Sequence, residues 1–191
     1  MLWFLRALEA RWARQLPYAV DLERLAIVYS DAESHGSIAA AFVCAGKVHF
    51  MQGIIPRSVM RLLEERLTNI VAYELIAAIL AVIQADSLFP EHVGIRHFID
   101  SKPALGCILK GSSPQIDLNC LSGYAWFAAG SRMRAYWGQY VPSKANLADA
   151  PSRGDMSLMN QLNAIRIPCD FARLNRAAEW LTSLQSELLV Q

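Results

Sequence analysis

The chain is poor in charge. Only 18% of its 191 residues are Asp, Glu, Lys or Arg, against about 25% in an ordinary soluble domain. Lys and Arg outnumber Asp and Glu by 18 to 17, so there is no basic excess of the kind that coats nucleic acid by charge alone. The four cysteines, Cys44, Cys107, Cys120 and Cys169, include no C-x-x-C pair and no histidine at zinc-ligand spacing. That argues against a zinc module or a disulfide framework and for scattered thiols in a reducing compartment. A long uninterrupted apolar run is also missing. Residues 1–15 are broken by Arg6, Glu9, Arg11 and Arg14 and have no small-residue cleavage site, unlike a secretion signal. The most apolar stretch, residues 70–83, falls short of the roughly 20 residues of a membrane span and carries Glu74 at its heart. We therefore expect an intracellular, soluble protein with no membrane partner. Internal repeats and low-complexity tracts are absent too.

What is present is apolar residue, 54% of the chain. Either a large core or an apolar surface that meets a partner accounts for it, and 191 residues suffice for one sizeable core. Leu2, Leu5, Leu8 and Trp12 put a helix over residues 2–15, ended by Pro17. Residues 25–30 form a continuous apolar run, which predicts a strand buried on both faces. Residues 37–44 and 47–55 read as two more strands around Ala45-Gly46. From Pro56 the spacing of Met60, Leu63, Leu67, Val71, Ala78 and Val82 predicts one long helix. Residues 93–99 give a fourth strand, 102–110 and 115–129 two helices, and 134–141 a fifth strand. Three consecutive strands make an antiparallel meander, and the last two follow helical crossovers and so favour parallel pairing. The expected fold is α/β: a five-stranded mixed sheet flanked by helices. We divide the chain into an N-terminal helical extension (1–24), the sheet domain (25–155) and a C-terminal helical extension (156–191). In the last of these Leu174, Ala177, Leu181, Leu184 and Leu188 keep helical spacing.

Two of the predicted strands end in an aspartate, Asp31 and Asp100. In open α/β sheets ligands bind outside the carboxyl ends of strands, so neighbouring strands would bring these two together. Each alone is an ordinary turn former or helix cap; the pair is not so easily dismissed. Glu74 interrupts the apolar stripe of the long helix and so points at the sheet. A buried carboxylate needs a counter-charge, and grouped carboxylates are stable only when one arrives. Oxygen-only ligands suit Mg²⁺ or Mn²⁺. Two such ions can clamp the attacking and leaving oxygens of a phosphodiester.

With these residues in place the sequence resembles ribonuclease H. The segment Val141-Pro-Ser-Lys-Ala-Asn146-Leu-Ala-Asp149-Ala-Pro-Ser152-Arg153 is similar to the N-x-A-D-x-x-S-R ending of ribonuclease H domains in retroelement reverse transcriptases. Tyr29-Ser-Asp31-Ala resembles their first motif and Phe98-Ile-Asp100-Ser-Lys their third. The resemblance covers about residues 25–155 and implies a ribonuclease H-like fold. It implies metal-dependent hydrolysis of the RNA strand of an RNA–DNA hybrid, with Asp31, Glu74, Asp100 and Asp149 holding two Mg²⁺ or Mn²⁺ ions. It also implies a polymerase domain in the same or a partner polypeptide. Lys102, Lys144, Asn146, Ser152 and Arg153 flank or complete the motifs and are candidates for contacts with the nucleic-acid backbone, or for support of Asp149. The chain departs from many cellular relatives in having no histidine in the loop 142–147 and no basic protrusion between its two middle helices. His35, His49, His92 and His97 share no ligand spacing, and Trp126, Tyr136 and Trp137 read as core.

Two alternatives stand beside this reading. Asp31-Ala-Glu33 has the D-x-E form that opens a group of 3′–5′ exonucleases, in which Glu33 would replace Glu74. The other is a scaffold that kept the fold and lost the chemistry.

Overall fold

A computed structural model of the chain describes residues 24–89, 94–130 and 135–172. The helix expected over 2–15, the C-terminal residues at helical spacing from Leu174 to Leu188, and His92 lie outside these residues.

Strand β1 (Leu25–Ala32) pairs antiparallel with β2 (Ser37–Cys44), and β2 with β3 (Lys47–Ile54). Gly36, at φ 83°, closes the first turn in a conformation that costs other residues energy. A one-turn helix α1 (Arg57–Met60) and the long helix α2 (Ile70–Leu88) follow. Next come β4 (Gly94–Ile99), α3 (Lys102–Lys110), α4 (Ile116–Gly130) and β5 (Tyr136–Tyr140). β4 lies parallel to β1, and β5 parallel to β4. The mixed α/β class is as expected, antiparallel strands first and parallel ones after.

Helix α2 is the centre of the core. Its residues are buried almost all round, from Ala72 to Ile83 without a break, as befits a helix apolar on every side. It packs on β1 and β2 beneath and on α3 and α4 above. The core face of the sheet gives it Val28, Ile38, Phe42 and Met51. By length and composition α2 could cross a membrane, yet most of it is buried in the fold.

Three expectations need correction. The long helix is not continuous from Pro56: residues 61–69 are irregular, and Leu67, assigned to its apolar stripe, is fully exposed. The cause is Asp117, buried at the start of α4. It accepts the Glu64 N–H at 3.1 Å and holds the Arg66 guanidinium with both oxygens. That pairing pulls the 61–69 backbone out of helical register. Trp137, read as core, is 45% exposed, because side chains along β5 alternate and the ring lies on the sheet face away from α2.

The strand count differs as well. Among the described residues the sheet has six strands, ordered β5-β4-β1-β2-β3-β6. After α5 (Asp149–Ser152) and α6 (Ser157–Gln161), Asn163 turns the chain at φ 49°. β6 (Ile165–Arg166) then pairs parallel with His49 and Phe50 of β3. Residues 156–171, assigned by sequence to a helical extension, therefore include a strand of the sheet. Met159 is fully buried, and Ile167, Cys169 and Phe171 pack against the core. Gly53 makes room for them: a Cβ there would meet the Phe171 ring at 2.7 Å.

Candidate active site

Ser30 of β1 lies opposite Ile99 of β4, so the next residue of each strand, Asp31 and Asp100, reaches the same end of the sheet side by side. The chain turns into α3 directly after Asp100, where the Ser101 hydroxyl accepts the Ala104 N–H and Pro103 stands in the first turn. Glu74, in the second turn of α2, comes down from above. Ligand oxygens of Asp31, Glu74 and Asp100 all lie within 4.8 Å of one another. Asp31 and Glu74 are buried, at 4% and 6% exposure.

This crowding holds protons in place. Burial pushes Glu74 up to about 9, and repulsion from Asp31 and Asp100 adds to it; a backbone hydrogen bond from Ala32 works the other way. Burial likewise raises Asp31 to about 7, with its Asp100 neighbour contributing, while the Ser152 hydroxyl donates to Asp31 and lowers it. Among the described residues three buried side-chain polar atoms have no hydrogen-bond partner. Two of them are Glu74 Oε2 and Asp100 Oδ1. Unsatisfied buried oxygens are costly, and these two sit where three carboxylates converge. The donor set is all oxygen, which fits a hard divalent cation.

Asp149 stands apart. It opens α5, which packs on β1 and β2. Its charge is near enough to raise both Asp31 and Glu74, yet its Oδ1 is paired with Arg153 Nη2 at 3.0 Å. Three of the four expected carboxylates are thus brought together, and the fourth lies beside them, turned to an arginine.

The remaining candidates divide by exposure. Lys102 and Lys144 are exposed, with Lys102 Nζ 4.9 Å from the centre of the Tyr140 ring. Arg153 is exposed as well. Asn146 and Ser152 are buried, being 5% and 1% exposed, and their side chains bond within the fold. The Asn146 amide donates to Ser30 O at 2.9 Å and its oxygen accepts the Ala148 N–H at 3.1 Å, which fastens the loop carrying Asp149 to β1. Ser152 bonds Asp31, and its own carbonyl accepts the Ser37 hydroxyl at 2.7 Å.

The histidines are scattered. His97 is fully buried, its Nε2 2.9 Å from Ser30 Oγ and its Nδ1 3.1 Å from the Tyr136 hydroxyl. Burial lowers it to about 3, so it stays neutral. His49 meets the edge of Phe89, with ring centres 5.6 Å apart. His35 lies on the open cleft beside Ser152. What sequence reasoning missed is the Ser152–Asp31 bond; the only local signal was the serine of the N-x-A-D-x-x-S-R ending.

No protein-family model matches the chain, and no curated protein matches it. Among solved structures it is similar to the N-terminal ribonuclease H domain of Rv2228c from Mycobacterium tuberculosis, determined as a fusion with maltose-binding protein. The identity is 21% over 76% of this chain and 100% of that one, with a TM-score of 0.48. It is also similar to ribonuclease H1 from the halophilic archaeon Halobacterium salinarum NRC-1, at 17% identity over 68% of this chain and 97% of that one, TM-score 0.45.

Proposed function

We propose that this chain is a ribonuclease H: it cuts the RNA strand of RNA–DNA hybrids internally, using two bound Mg²⁺ or Mn²⁺ ions. The observation that carries the reading is the convergence of Asp31, Glu74 and Asp100 from three separate elements within 4.8 Å, with buried oxygens of two of them left unpartnered. The sequence motifs around Asp31, Asp100 and Asp149 support it. Asp31 and Asp100 would bind both or either of the ions, Glu74 one of them and Asp149 the other. When bound, the ions supply positive charge to the scissile phosphate and to the attacking water.

The chain's own residues do the rest. Ser152 keeps Asp31 easier to ionise by donating to it. Asn146 fixes the approach of the Asp149 loop. Lys102 and Lys144 offer positive charge beside the acidic site, where a nucleic-acid backbone gains from it. Glu74 stands in the carboxylate cluster and Glu33 does not, which favours this reading over the exonuclease one, where Glu33 would take the place of Glu74. A scaffold would have no need of unpaired buried carboxylates, which cost stability. The ending at residues 141–153 supports a retroelement setting, with a reverse transcriptase polymerase domain as partner.

The test is incubation with an end-labelled RNA–DNA hybrid in Mg²⁺ or Mn²⁺, beside Asp100→Asn. Internal RNA cuts are expected, absent from the variant and without metal. A folded protein that neither cuts nor binds metal would sink the proposal. Stepwise shortening of single strands from the 3′ end would replace it with the exonuclease.

A further inference from the structure

Arg153 stands between two carboxylates. Its Nη2 lies 3.0 Å from Asp149 Oδ1, one helical turn back. Its Nε lies 3.4 Å from Glu33 Oε1, on the turn after β1. The side chain is 60% exposed and forms part of the wall of an open cleft of about 370 Å³, together with His35, Gln52 and Ser152. Asp149 meanwhile contributes no oxygen to the converging group, although its charge is felt there. Exposed ion pairs of this kind are weak and exchange readily. A phosphate, by contrast, takes a guanidinium with two parallel hydrogen bonds.

We propose that Arg153 is a latch on the fourth carboxylate: in the free protein it holds Asp149 out of the cluster, and a backbone phosphate entering the cleft takes Arg153 over and releases Asp149 to complete a second cation site. The inference rests on the reading of the cluster as a divalent metal centre and adds an order of assembly to it. The site at Asp31, Glu74 and Asp100 is formed beforehand; the one that needs Asp149 is formed with nucleic acid. Linkage makes the effect reciprocal, so the second cation tightens nucleic acid by the factor that nucleic acid tightens the cation. Arg153 acts here as a positioning residue, through Asp149.

The test is calorimetric titration of the metal-free full chain with Mn²⁺, with no nucleic acid present. Wild type is compared with Arg153→Gln and with Arg153→Gln combined with Asp149→Asn. Wild type takes up one Mn²⁺ at the preformed site. Arg153→Gln binds a second Mn²⁺ about fivefold more tightly than wild type does, the scale of one exposed ion pair, and Asp149→Asn removes that gain. Adding a hybrid whose RNA strand is 2′-O-methylated, and so resists cutting, gives wild type the same second site. Equal second-site affinity in wild type and Arg153→Gln overturns the latch. So does a gain that survives Asp149→Asn, since that is the mere loss of a nearby positive charge. A wild-type chain that binds no Mn²⁺ overturns the metal centre itself, a separate outcome.

Discussion

Glu74 and Asp31 govern how the protein responds to pH. Both carboxyls keep protons in the fold that they release on unfolding: Glu74 holds its proton to about 9 against 4.5, and Asp31 to about 7 against 3.8. The folded state then binds more protons than the unfolded one across that window. Stability of the metal-free protein is therefore full below the unfolded values and is lost as pH rises through the folded ones. A divalent cation reverses the trend, because it binds only the ionised carboxylates and gains as protons leave. The Tm of the metal-free protein is expected to fall between pH 5 and pH 9, and the rise in Tm on adding Mg²⁺ to grow over the same range. Glu74→Gln should flatten the fall, stabilise the metal-free protein at pH 8, and abolish the gain from metal. Thermal melts across pH check all three; a Tm that ignores pH would count against buried, proton-holding carboxyls. At this scale much was legible in the sequence. A strand-ending aspartate and an acid within an apolar stripe are local patterns, and they marked Asp31, Asp100 and Glu74. A supporting role was open for Asn146 and Ser152, but their partners Ser30 and Asp31 were not legible, because they lie 116 and 121 residues away. That Asp149 faces Arg153 is a matter of side-chain geometry that spacing alone does not fix.

Among the elements, the connection between α1 and α2 departs furthest from what periodicity predicts. Met60, Leu63, Leu67 and Val71 satisfy a helical stripe, yet Asp117 wins over it with an ion pair and a backbone hydrogen bond. Such a contact joins residues 51 positions apart and leaves no trace in a local window. It also ties the start of α4 to the segment leading into α2, the helix that delivers Glu74. Asp117 is 1% exposed and the Arg66 side chain 19%, so the pair is largely withdrawn from water, where removing one partner strands the other. Asp117→Ala is expected to cost about 3 kcal/mol, read as a lower urea midpoint with the slope unchanged. Arg66→Ala should cost a similar amount, and the two together should cost less than their sum, since each has already lost the same contact. Full additivity would mean that the 61–69 segment is held by something else. The sixth strand escaped the sequence for a related reason. Two residues of parallel pairing carry no periodicity, and the turn at Asn163 that makes them possible is a backbone conformation rather than a motif.

For the whole molecule the question is where the fold ends. Composition and motif spacing place the last residue of the sheet domain near 155, and everything needed for the carboxylate cluster lies before that point. The core does not stop there. Met159 is fully buried, and Ile167, Cys169 and Phe171 lie against the core at the β3 edge, with Phe171 over the space that Gly53 leaves. β6 covers part of the backbone of β3 that would otherwise be an open edge, a standing invitation to pair with another chain. Stripping these groups exposes apolar surface worth roughly 2 kcal/mol for a fully buried side chain such as Met159, with partial losses at the other three. It also unpairs an edge strand. A chain stopped after Asp155 should therefore melt about 10 °C below the full chain, at 2–4 °C per kcal/mol for a protein of this size, and should self-associate as its concentration rises. A chain stopped after Ala172 should keep the sheet, the covered edge and metal binding. Melting curves and light scattering on the two truncated chains decide the matter. If the shorter one melts with the longer and stays monomeric, residues 156–171 are an appendage to the fold, and the carboxylates stand on a five-stranded sheet that is stable without them.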